Sequence, residues 1–230
     1  MISSDASSPA AARLRSVEVM GPAGRLEALL NEGSPHAACA ALVCHPHPKG
    51  GGTMHNKVVY HAMKVLNAVE WGFCLPVLRF NFRGTGRSEG MHDGRAESDD
   101  VLAALHWIQD KFNLPILLAG FSFGAAMALF AACQSQPTAA NLRALVALGL
   151  PTHAENRHYP FTFLHHCSLP KLFISGDQDI YAPKQDLEQI VAHAAPPKTL
   201  VLLHGADHFF AGQLEAMQNA LASWLKEQLG

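Results

Sequence analysis

The sequence predicts an α/β domain in which a mostly parallel sheet carries helices on both faces. Three observations lead there. Apolar runs at Ala38–His45, Phe73–Phe82, Ile116–Ala119, Leu142–Leu150, Lys171–Ser175 and Thr199–Leu203 lack a strict apolar-polar alternation, as expected of strands buried on both sides. The segments between them place apolar residues at helical spacing. Polar clusters rich in Gly and Pro follow the strand ends, where ligands bind in such sheets.

Each element has its own signal. Arg15–Met20 and Leu26–Asn31 read as an N-terminal hairpin, followed by the strand Ala38–His45, which stops at Pro46. His45 to Asn56 is loop by its Pro and Gly content. Lys57–Glu70 is a helix through Val58, Val59, Ala62, Val65, Leu66 and Val69. After the strand Phe73–Phe82 comes a second Gly-rich loop, Arg83–Gly94. Ala96–Phe112 is a helix with Val101, Leu102, Leu105, Trp107 and Ile108 as its buried stripe. Ile116–Ala119 is a strand, Ala125–Gln134 a helix and Leu142–Leu150 a strand. Lys171–Ser175, Lys184–Ala194, Thr199–Leu203 and Leu214–Leu229 continue as strand, helix, strand and helix. About twenty residues join the strand ending near Leu150 to the one starting near Lys171. That is long for a loop but too short for a helical lid domain, so a partial cover is expected.

The 230 residues suit one domain over 14–230, with residues 1–13, rich in Ser, Ala and Pro, as a flexible tail. With 49% hydrophobic and 16% charged residues the chain is not disordered. A net charge of −2 and the lack of a basic run argue against a nucleic-acid partner. The start of the chain has no basic segment followed by an apolar one, so it does not read as a secretory signal. Ile116 to Cys133 is uncharged over 18 residues, but Pro115 and Gly120–Gly124 break it into strand, turn and helix, so no membrane span is expected. Cys39, Cys44, Cys74, Cys133 and Cys167 are odd in number and scattered. Cys39, Cys44, Cys74 and Cys133 lie in apolar runs and read as small hydrophobes, and the set suits a reduced, cytoplasmic protein.

The chemistry begins at Gly120-Phe121-Ser122-Phe123-Gly124, a G-x-S-x-G sequence between an apolar strand and an Ala-rich helix. A serine on such a strained strand-to-helix turn stands exposed above the sheet and serves as a nucleophile. It needs a general base, and the base needs an orienting acid, in the chain order Ser, acid, His. Gly176-Asp177-Gln178-Asp179 and Gly205-Ala206-Asp207-His208 follow successive strands in that order. Ser122, Asp179 and His208 are the expected catalytic set. Asp179 is preferred to Asp177 because it lies farther out, while a strand-proximal Asp tends to bond backbone. Asp207 reads as a turn residue.

A tetrahedral intermediate needs two donors for its oxygen. One is the N–H of Phe123, next after the serine. The other belongs to the loop 45–53, where Pro46 and Pro48 have no N–H. His47 is the nearest candidate, with Gly50–Gly52 as the alternative. His45 and His47, with His55, could form a metal pair, but no local Cys or carboxylate joins them, so a packed loop is expected and no metal. Asn81–Gly90 lacks the third glycine of a dinucleotide motif and reads as a chain turn anchored by Arg83. No organic cofactor is expected.

The set HPHPKGGGTMHNKVV (His45–Val59), RFNFRGTGRSEG (Arg79–Gly90), GFSFG, GDQD and GADHFF resembles a family of small bacterial α/β-hydrolases. These are carboxylesterase-like and related in style to dienelactone hydrolases. The resemblance covers roughly Ala38 to Leu214. It implies the α/β-hydrolase fold without a large lid, a mostly parallel central sheet, the triad Ser122, Asp179 and His208, and a small ester as substrate. Lys49-Gly50 departs from the bulkier apolar residues frequent there and alters the wall beside the oxyanion loop.

Overall fold

The computed structural model describes residues 13–134, 141–154 and 157–229. The tail expected over 1–13 lies outside them except for Arg13, whose carbonyl accepts the Glu32 N–H. The hairpin forms as expected: β1 (Leu14–Gly21) pairs antiparallel with β2 (Gly24–Asn31). The central strands are β3 (Ala40–Cys44), β4 (Val77–Phe80), β5 (Ile116–Phe121) and β6 (Leu142–Leu148). A two-residue pair, β7 (His153–Ala154) and β8 (Arg157–His158), stands apart. β9 (Lys171–Gly176) and β10 (Lys198–Leu203) complete an eight-stranded sheet of order β1-β2-β4-β3-β5-β6-β9-β10. From β4 to β10 every pairing is parallel.

Helices α1 (Lys57–Asn67), α2 (Glu97–Phe112), α3 (Phe123–Leu129), α4 (Lys184–His193) and α5 (Leu214–Leu229) cover both faces. The period of two along each strand divides the core in two. Ala40, Leu42 and Cys44 of β3 face a cluster with α2, α3 and α4, while Ala41 and Val43 face one with α1 and α5. Such two-sided burial is why the strands read as unbroken apolar runs. Among the described residues, no helix is long and apolar enough to cross a membrane.

Several boundaries differ from the sequence reading. The strand expected over Phe73–Phe82 is confined to Val77–Phe80. Cys74 takes a positive φ of 47°, and Pro76 has no N–H for a ladder. The helix expected to Glu70 ends at Asn67, followed by a tighter turn at Val69–Trp71. Asn67 turns its amide to the carbonyls of Glu32 and Leu75 instead. The third helix starts two residues early, at Phe123, and widens into π-type turns over Phe130–Gln134. The cysteine reading also needs correction, because Cys133 and Cys167 form a disulfide. It ties the end of that helical segment to the connection that precedes β9. Cys133 sits in an apolar run that gave no hint of a partner 34 positions on. The reduced compartment inferred from scattered cysteines loses that support.

The connection between β6 and β9 is a partial cover. Its Tyr159 and Phe161 are buried against Phe130. Among its described residues the helical structure is one short turn segment, Thr162–His166.

Candidate active site

Ser122 follows β5 directly and precedes the first turn of α3. Its backbone is at φ 54°, ψ −122°, a region L-residues avoid. The flanking glycines allow that turn. A Cβ on Gly120 would lie 2.4 Å from the Gly124 carbonyl carbon, and one on Gly124 would lie 2.4 Å from the His45 carbonyl oxygen. Both obstacles are backbone, so the G-x-S-x-G pattern is a steric necessity of packing β5, the turn and the β3 end together. The Ser122 N–H is fixed to the Leu148 carbonyl, and its own carbonyl accepts from Ala125 and Ala126.

The other two expected residues converge on it. His208 Nε2 lies 2.9 Å from Ser122 Oγ, and His208 Nδ1 lies 2.8 Å from Asp179 Oδ2. The network assigns the proton of the imidazole to Nδ1, donated to the carboxylate, so that Nε2 accepts from the serine hydroxyl. Asp179 is nearly fully buried. Its Oδ1 accepts the N–H groups of Tyr181 and Ala182, and Oδ2 also accepts the Ser175 hydroxyl. His208 is clasped by Phe121, Tyr181 and Phe209, with ring centroids 4.7–5.1 Å away. Asp207 makes the turn beneath it, its Oδ1 accepting from Phe209 and Ala211.

Asp177 goes elsewhere. Its carboxylate takes the Gly205 N–H and pairs with His204 Nδ1. The His204 hydrogen bond, then that of Gly205, holds it below the ordinary carboxylate range. The strand-proximal Asp thus serves the loop, and the outer Asp meets the histidine.

The loop after β3 lies across the cleft. His45 is buried; its Nδ1 bonds the Pro46 carbonyl, and its Nε2 accepts the Phe82 N–H. Burial pushes its pKa down to about 4, so it stays neutral and joins the ends of β3 and β4. His47 precedes the turn Pro48–Gly50, its Nδ1 accepting the Lys49 N–H. The Phe123 N–H heads α3, where no intrahelical acceptor exists. His47, Phe123, Ser122 and His208 line one cleft of about 460 Å³, walled by Tyr159, Tyr181 and Phe209, a size suited to a small molecule. Neither His45 nor His47 is directed at a metal ligand set: among the described residues no group of three or more His, Cys, Asp or Glu is arranged to hold an ion.

The chain belongs to the alpha/beta hydrolase domain family. Residues 40–226 match it. An uncharacterized protein of Rickettsia prowazekii is 36% identical over 215 residues, spanning 89% of this chain and 86% of that one. An alpha-beta serine hydrolase homologue from Coxiella burnetii superposes with a TM-score of 0.80 at 33% identity, covering 92% of this chain and 97% of that one. A serine hydrolase without a lid from Xanthomonas campestris gives 0.79 at 30%, covering 96% of both. The lid-less α/β-hydrolase fold expected from the sequence is therefore the fold of this chain.

Two residues beside the cleft escaped the sequence reading. His92, from the loop after β4, meets His47, and Glu97, in the first turn of α2, stands behind His92. Neither stands in a motif, and no local spacing links position 92 to position 47.

Proposed function

We propose that this protein is a serine hydrolase that cleaves small carboxylic esters through an acyl-enzyme. The observation that carries the reading is the continuous hydrogen-bonded chain Asp179–His208–Ser122, with steps of 2.8 and 2.9 Å, ending in an open cleft. Ser122 Oγ attacks the ester carbonyl as His208 Nε2 takes its proton. The negative oxygen of the tetrahedral intermediate is held by the backbone N–H groups of Phe123 and His47. Collapse expels the alcohol, which receives the proton from His208. Water then attacks the acyl-serine, with His208 again as base, and releases the acid. Asp179 remains ionised throughout and stabilises the transient imidazolium. No metal or cofactor enters these steps.

Substrate size follows from the walls. Tyr181 and Phe209 are 40% and 53% exposed, and they flank His208 at the mouth of the cleft. An open, partly aromatic cleft favours short acyl groups. The test is a series of p-nitrophenyl esters from acetate to palmitate beside a matched acyl thioester. The highest kcat/KM is expected at two to four acyl carbons. A preference for long chains would overturn the substrate reading, and a preference for the thioester would reassign the leaving group.

A further inference from the structure

A buried chain of polar groups approaches the cleft from the side opposite Asp179. Glu97, in the first turn of α2, is fully buried. Its carboxylate is fixed by the N–H groups of Asp93, at 3.0 Å, and Gly94, at 2.9 Å. Oε1 lies 2.5 Å from His92 Nδ1, a close contact off hydrogen-bond alignment. The His92 side chain is only 6% exposed. Its Nε2 lies 3.1 Å from His47 Nε2. His47 Nδ1 in turn accepts the Lys49 N–H at 3.1 Å.

These contacts set a direction. Because His47 Nδ1 accepts a backbone N–H, the His47 proton resides on Nε2. Nε2 of His47 then donates to Nε2 of His92, which must be unprotonated. The His92 proton is left on Nδ1, facing Glu97; a bare lone pair so close to a carboxylate would be repelled. The tautomer of each ring is thus set by its neighbour. The two imidazoles also pack edge-on against Phe123, with centroids 5.0 and 5.5 Å away. The chain therefore touches both residues whose N–H groups hold the oxyanion in the reading above.

We propose that Glu97 and His92 are positioning residues that fix the His47 ring, and through it the backbone of the oxyanion loop. The proposal rests on the hydrolase reading for its kinetic consequence but not for its structural one. Gly94 and Asp93 amides could satisfy Glu97 alone, which would make the carboxylate a loop staple. Under that alternative His92 could be replaced by an apolar ring without effect on His47.

The variants are His92→Phe, which keeps the aromatic packing and deletes both nitrogens, and His92→Gln, whose amide oxygen can still accept from His47. The first readout is long-range ¹⁵N–¹H NMR of the histidine rings in the wild-type protein. His47 is expected as the Nε2–H tautomer and His92 as the Nδ1–H tautomer. In His92→Phe the Lys49 amide should exchange faster, and in His92→Gln it should not. The opposite tautomers, or a Lys49 amide unchanged in His92→Phe, would overturn the proposal. This readout needs no turnover, so it decides the proposal even for a protein without esterase activity. The second readout is kinetic. A donor misplaced by about 1 Å costs roughly 10²-fold, so His92→Phe should lower kcat roughly 10- to 100-fold with KM within about threefold, and His92→Gln should recover most of it. A boronic acid inhibitor should weaken in parallel with kcat. In a His47→Ala background, His92→Phe should add less than about twofold, because the route through the ring is gone. Equal effects in both backgrounds, or a change in KM alone, would assign His92 a merely structural role.

Discussion

Replacing Asp179 by Asn should leave the fold intact and abolish catalysis, for a reason that can be followed atom by atom. Oδ1 of Asp179 receives two backbone N–H groups, from Tyr181 at 2.8 Å and Ala182 at 3.2 Å, while Oδ2 faces His208 Nδ1 at 2.8 Å. An asparagine must keep its oxygen toward the two N–H groups. The reversed amide would lose both bonds, about 1 kcal/mol each, and press donors against donors. Its NH₂ therefore takes the Oδ2 place and donates to His208 Nδ1. The imidazole proton moves to Nε2, which then donates to Ser122 Oγ and no longer takes its proton. A wrong tautomer at this step costs about 10⁴-fold in kcat, or about 5 kcal/mol of transition-state stabilisation. The assay is p-nitrophenyl acetate hydrolysis at pH 7.5, with thermal unfolding as the folding control. Asp177→Asn is the comparison: its carboxylate bonds His204 and Gly205, and kcat should change by less than about threefold. An Asp179→Asn protein that retains more than a tenth of wild-type kcat would refute this assignment of the acid.

Other consequences concern stability as much as catalysis. His45 has a folded pKa near 4 against an ordinary 6.5, because burial, and then the neighbouring His92 and His47, oppose its charge, while the Pro46 carbonyl acts the other way. Between those values the unfolded chain binds more protons, so stability falls as pH drops from 6.5 toward 4, by about 3 kcal/mol from this group; urea titrations across that range should show a flatter profile for His45→Gln. Gly124→Ala would force a methyl group into the carbonyls of His45 and Cys44, and a loss of about 3 kcal/mol or more is expected in chemical denaturation. Arg83 and Asp100 form a buried pair held at 2.7 Å, with Asp100 fully buried and also accepting the Arg83 N–H. Asp100→Asn should cost about 3–5 kcal/mol by leaving the guanidinium poorly compensated. Cys133→Ser paired with Cys167→Ser removes a link across 34 positions, and unfolding stability should fall by roughly 3–4 kcal/mol with kcat at 25 °C within twofold.

The central sheet was legible because its strands are buried on both faces and bounded by loops with strong turn chemistry. The meeting of Ser122, Asp179 and His208 was legible because each follows a strand end, and because the glycines beside Ser122 answer a steric demand between backbones. Even the choice between Asp177 and Asp179 followed from distance along the loop: the inner carboxylate is within reach of Gly205 and the outer one of His208. What the sequence concealed depends on proximity created only by folding. The Cys133–Cys167 bridge joins residues whose local contexts are both apolar or mixed. The His47–His92–Glu97 chain joins three isolated polar residues through the adjacency of β3 and β4 in the parallel sheet. The end of the helix at Asn67 was hidden too, since its amide finds two carbonyls on other segments. Local periodicity carries no record of those partners.

The most direct test of the account is covalent. Wild-type protein and Ser122→Ala are treated with a fluorophosphonate, digested and mapped by mass spectrometry, with hydrolysis of p-nitrophenyl acetate followed in the same samples. One phosphonyl adduct is expected, on Ser122, with esterase activity that disappears both on labelling and in the variant. An adduct on another residue, or a Ser122→Ala protein that hydrolyses the ester at the wild-type rate, would contradict it.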